Sequence, residues 1–158
     1  HGNMYGCISL YDTCKKAGIK PIFGCEFYVA DDLTEKNGKS KNSHLVLLAK
    51  NRTGYLNLCE LNTIAFRDGF YYKPRIDIEI LEKYHEGLIC LSACLAGSVN
   101  KAILKNNMEE ARKWALWHKN LFGEDYEQMK AEVFKLLKIK YALIVVNEDP
   151  LDLKQIEY

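Results

Sequence analysis

The chain has 158 residues, 48% of them hydrophobic and 27% charged, and a formal net charge of +1 at pH 7. Domains of about 100–200 residues are usual, so this length supports one domain with a real core. The near-neutral balance excludes a strongly basic nucleic-acid footprint on the chain itself, no apolar run is long enough to span a bilayer, and no signal or transit segment is recognisable.

In chain order, Tyr5, Ile8, Tyr11 and Cys14 recur at helical spacing and Gly18 follows as a stop, which predicts a short helix. Residues 22–30 (IFGCEFYVA) are β-branched and aromatic and read as a strand. Residues 31–43 are polar, with Asn-Gly inside, and read as a solvated loop. Residues 45–49 (LVLLA) form a short buried strand, followed by a helix with Tyr55, Leu58, Asn62 and Ala65 on one stripe. Residues 69–75 (GFYYKPR) are a loop that interleaves aromatic and basic groups. Asp77 caps a short helix over 77–84. Another buried strand covers 87–93 (GLICLSA). Asn107 caps a longer helix, with Glu110 in a capping-box position, a stripe of Ala111, Trp114, His118 and Leu121, and Gly123 closing it. A helix over 127–137 and a strand over 141–146 complete the chain. Strands alternating with helices predict an α/β domain with a mostly parallel sheet or barrel, whose ligands gather at the carboxyl ends of the strands.

Six cysteines stand at 7, 14, 25, 59, 90 and 94, and none forms a CxxC pair. Five of them read as buried thiols in a reducing cytoplasm; Cys94, in a Ser-Ala-Cys turn after a strand, is a candidate soft ligand. Glu26 interrupts an apolar strand, where a carboxylate is costly unless it is solvated, paired or bound to a cation. His44 stands where the polar loop enters its strand, as an ordinary hydrogen-bonded residue or a ligand. His1 is a further nitrogen donor. Together, His1, Glu26, His44 and Cys94 offer the nitrogen, oxygen and sulfur donors that suit Zn²⁺ or Mn²⁺, and clustered metals activate water for attack on phosphorus. Lys73 and Arg75 are candidate phosphate ligands, with Tyr71 and Tyr72 able to stack on bases or simply to pack. His85 and His118 carry no expected chemistry.

Several runs resemble, in order and spacing, the PHP (polymerase and histidinol phosphatase) domain of the bacterial DNA polymerase III alpha subunit. They are HGNMYG (1–6), KKAGIKPIFGCEFYVA (15–30), HLVLLAKN (44–51), GFYYKPRID (69–77), HEGLICLSACLAG (85–97) and WALWHKNLFGEDY (114–126). The resemblance implies a distorted seven-stranded β/α barrel with a centre of divalent metals (Zn or Mn, or Mg). His1, Glu26, His44 and Cys94 would be ligands in it. In some members this centre removes nucleotides from a DNA 3′ end; in others it is degenerate and structural. The family's His-x-His strand and its Asn-Asp-Val-His strand have no counterpart here, so the expected domain at 1–126 is an incomplete PHP barrel with an incomplete site. Residues 127–158 are a divergent tail of unknown role.

The parent implied is a cytoplasmic replicative DNA-directed DNA polymerase. It acts on DNA beside a sliding clamp and a proofreading subunit, with no membrane involved. The rival readings are a stand-alone metal-dependent phosphoesterase and a non-catalytic structural module of a replicase.

Overall fold

The computed structural model describes residues 1–36, 42–123 and 125. The expected helix over 127–137 and strand over 141–146 lie outside the described residues. The elements are α1 (Cys7–Lys16), β1 (Gly24–Val29), β2 (Ser43–Ala49), α2 (Arg52–Arg67), β3 (Arg75–Ile76), α3 (Ile78–Lys83), β4 (Leu88–Leu91), α4 (Ser98–Leu104) and α5 (Met108–Phe122). The short α4 was not expected.

Three asparagine or aspartate caps set the helix starts. Asn51 accepts from the Gly54 amide at 2.9 Å, Asp77 from Ile80 at 3.0 Å and Asn107 from Glu110 at 3.1 Å. Each satisfies one of the amides that a helix start leaves without a partner. The capping box at α5 closes only halfway: the Glu110 carboxylate accepts the Trp114 indole N–H at 2.8 Å. Helix α1 forms, but none of its residues is buried. Tyr5 and Ile8 are 78% and 76% exposed, so the apolar stripe seen in the sequence faces outward among the described residues.

The strands form one sheet in the order β3-β1-β2-β4. Only β1 and β3 run parallel; β1–β2 and β2–β4 are antiparallel. The expectation of a mostly parallel sheet is therefore corrected. A parallel pair needs a crossover that carries the chain back across the sheet. Between β1 and β2 the described residues contain no such helix, and the strands meet as a hairpin-like pair.

Alternation sorts the sheet into two faces. Cys25, Phe27, Leu45, Leu47, Leu88 and Cys90 point one way, and all are buried. Leu58, Leu61 and Ala65 of α2, Leu81 of α3 and Phe122 of α5 join them in one core. Glu26, Tyr28, His44 and Val46 occupy the alternate positions on the other face. Cys25 and Cys90 match the expected buried thiols. Burial pushes the Cys25 thiol up to about 12 and the Cys90 thiol upward too. Cys7, Cys14 and Cys59 are only half-buried, because α1 and the outer side of α2 meet solvent.

Candidate functional site

The face opposite the core carries the polar groups. Tyr28 lies directly across from His44 in the β1–β2 register, and Glu26 across from Val46. Glu26 and His44 are therefore diagonal neighbours on one face, within reach for long side chains. His44 Nδ1 meets Glu26 Oε1 at 2.6 Å. The Tyr28 ring stands edge-on to the imidazole, with centroids 5.1 Å apart.

Cys94 arrives from the loop after β4. Its Sγ lies 3.5 Å from His44 Nδ1 and accepts the Ala96 amide at 3.4 Å. The Cys94 carbonyl accepts from the Gly97 amide and from Asn100 Nδ2, each at 2.9 Å. The His44 amide donates to the Ala96 carbonyl at 3.0 Å, which ties this turn to the start of β2. Ala93, just before Cys94, has φ +58°, a left-handed conformation that is costly for a residue with a Cβ. A Cβ on Gly97 would sit 2.1 Å from the Ser92 carbonyl oxygen, so only glycine closes this turn.

His1 is brought alongside by its backbone. The Gly2 amide donates to the Glu26 carbonyl at 2.8 Å, and the chain's amino group stands 3.7 Å from Glu26 Oε2. The His1 side chain is 58% exposed. Of the four candidate ligands, the structure thus brings Glu26, His44 and Cys94 into side-chain contact and seats His1 by its main chain.

Burial lowers the proton affinity of His44. The Glu26 carboxylate opposes this, while Lys73, Lys101 and the amino terminus add to it. Assigning the Nδ1–H as donor to Glu26 leaves the Nε2 lone pair available in the neutral ring. A neutral imidazole, a carboxylate and a thiol are suitable donor types for a divalent cation. Their present arrangement is a hydrogen-bonded cluster in which donors face each other. Among the described residues, no group of three or more His, Cys, Asp or Glu side chains is set to hold a metal ion. The donor chemistry fits a divalent metal; a closed coordination shell would need these side chains to turn outward and a further ligand to join them.

Lys73 and Arg75 part company. Arg75 is only 1% exposed. Its guanidinium donates to the carbonyls of Gly69 (2.9 Å), Glu35 (3.1 Å) and Leu33 (3.1 Å), so it pins the 33–35 and 69–75 loops together. The expected phosphate role of Arg75 is corrected on this point: its donors are committed inside the protein. Lys73 is exposed. Its Nζ lies 4.4 Å from the centroid of the Tyr28 ring and 3.3 Å from the Tyr28 hydroxyl, one ring away from His44.

Two contributors escaped the sequence reading. Tyr28 shares a face with Glu26 by strand alternation, a signal present in the sequence. Lys101 sits on α4, whose seven residues offer too short a period to recognise.

A family pattern described as the PHP domain matches residues 1–129. The chain belongs to the PHP domain family. It is 51% identical over 130 residues to the DNA polymerase III subunit alpha of Borreliella burgdorferi, covering 80% of this chain and 11% of that protein. The corresponding protein of Chlamydia trachomatis is 49% identical over 131 residues (80% and 10%). That of Aquifex aeolicus is 42% identical over 145 residues (83% and 12%). The chain therefore spans about a tenth of the length of the curated relatives it matches. No helix among the described residues is long and apolar enough to cross a membrane.

Proposed function

We propose that this chain is the PHP portion of a replicative DNA polymerase III alpha subunit. The observation that carries this reading is the 51% identity over 130 residues to such a subunit. The parent protein would add nucleotides to primed DNA in the cytoplasm, beside a sliding clamp and a proofreading subunit. The PHP portion would be the part spanning 1–126, belonging to a seven-stranded barrel, with residues 127–158 as a divergent segment of other role.

In the barrel reading the four described strands would form part of its wall, with the polar face of β1 and β2 as its interior. Glu26, His44 and Cys94, with His1 beside them, would hold a divalent cation, Zn²⁺ or Mn²⁺ before Mg²⁺ by donor type. Such a cation supplies a Lewis acid and an activated water for phosphoester or 3′-terminal nucleotide hydrolysis. The chain's own groups have narrower tasks. Glu26 orients His44 through Nδ1, Tyr28 walls the imidazole, and Lys73 presents a cation to a phosphate oxygen. With His44 hydrogen-bonded to both Glu26 and Cys94, this chain alone is expected to hydrolyse weakly or not at all.

Elemental mass spectrometry of the purified chain beside a His44→Ala, Cys94→Ser double variant tests the site. Substoichiometric zinc or manganese in the parent, lost in the variant, is expected; equal metal in both overturns the assignment of these ligands. Extending the reading frame tests the parentage: a downstream polymerase region is expected, and its absence overturns it.

A further inference from the structure

Tyr72 is 85% exposed, the most exposed of the large apolar side chains among the described residues. It also sits at φ +58°. A bulky residue is an outlier there, and the Tyr72 ring has one aromatic neighbour, Tyr71, to set against that cost. The turn around it is closed by the Tyr71 amide donating to the Lys73 carbonyl at 3.1 Å. The Tyr71 ring meets the Tyr72 ring edge-on at 4.6 Å, and the Arg75 guanidinium lies 5.3 Å from the centre of the Tyr71 ring. Since Arg75 is anchored by three carbonyls, the whole base of this turn is rigid. An exposed ring on a fixed mount loses little freedom when something flat lies on it.

The surroundings name the kind of occupant. The next residue, Lys73, points its cation at Tyr28, whose ring borders His44. Lys101 and the amino terminus add positive charge toward the same imidazole. An exposed ring one residue before a lysine whose ammonium lies over Tyr28, on the face that carries the Glu26–His44 pair, matches one nucleotide unit: base on ring, phosphate on ammonium.

We propose that Tyr72 is a stacking platform for a base of single-stranded nucleic acid whose adjoining phosphate contacts Lys73, at the edge of the Glu26–His44–Cys94 cluster. This rests on the reading of the chain as a piece of a DNA-handling protein, and adds to it the residue that holds a base.

Fluorescence anisotropy of the full chain with a labelled octathymidylate at low salt, and with an abasic strand of equal charge, tests it. Tyr72→Phe keeps the ring and is expected to bind like the parent. Tyr72→Leu is expected to weaken binding to the thymidylate roughly tenfold and leave the abasic strand unaffected. Lys73→Gln is expected to weaken both strands and to lower the salt slope by about one. If Tyr72→Leu binds the thymidylate as tightly as the parent while Lys73→Gln still weakens it, the stacking role falls and the nucleic-acid reading stands. If Tyr72→Leu weakens both strands alike, the ring serves the turn and the stacking role also falls. If the parent binds neither strand, nucleic-acid contact by this face falls, and the platform with it.

Discussion

His44 Nδ1 and Glu26 Oε1 are 2.6 Å apart across a diagonal of the β1–β2 ladder, not across a direct pair. The carboxylate raises the proton affinity of the imidazole against the larger lowering by burial. Removing that charge leaves the lowering unopposed. In Glu26→Gln, His44 is therefore expected to titrate at a lower pH than in the parent, as followed by NMR of the ring protons. An unchanged or higher midpoint would show that the carboxylate does not act on this ring.

His118 is 2% exposed, and its Nδ1 lies 2.7 Å from the Trp114 carbonyl. Burial holds it below its ordinary value of 6.5, and that carbonyl opposes the shift. The folded protein thus binds this proton less readily than the unfolded chain. Its stabilising contribution is complete above about pH 6.5 and is lost as pH falls through the lower folded value. Urea denaturation from pH 7.5 down to 5 is expected to show falling stability, with a shallower fall in His118→Phe. Equal pH dependence in both proteins would refute the assignment.

Leu61 is fully buried between α2 and the sheet, whereas Ile8 on α1 is 76% exposed. Truncating a core leucine removes its transfer free energy and leaves a cavity, which together cost about 2–5 kcal/mol. Leu61→Ala is expected to lose that much by chemical denaturation. Ile8→Ala is expected to stay within about 0.5 kcal/mol of the parent. A larger loss at Ile8 than at Leu61 would mean that α1 is packed and α2 is not.

Arg75 holds three carbonyls with a planar fork that lysine cannot reproduce. Arg75→Lys keeps the charge but strands at least one carbonyl, so a loss of about 2 kcal/mol or more is expected. Thermal denaturation indistinguishable from the parent would contradict the pinning role.

Local signals in the sequence were legible where one residue does the work. Asp77 and Asn107 were readable as caps because the geometry needs only a short acceptor at the right place. Glu26 stood out because a carboxylate in an apolar strand demands an explanation. Strand direction was not legible: alternation in Gly24–Val29 is the same whether its neighbour runs parallel or antiparallel. Nor was the fate of Arg75. Beside Lys73 in the sequence it looks like half of a basic pair, and only the folded loops show that carbonyls take its donors. The contact of Cys94 with His44 depends on a turn, strained at Ala93, that no spacing rule encodes.

The alternation along β1 divides two kinds of inheritance. Cys25 and Phe27 answer to the core, while Glu26 and Tyr28 answer to the polar face, and neighbouring codons therefore carry unrelated constraints. A lineage can erase the chemistry at Glu26 by a point change and keep the buried Cys25 and Phe27 on either side of it. Deleting a single codon within β1 does the reverse of such gradual decay: it turns every later side chain over and ruins both at once.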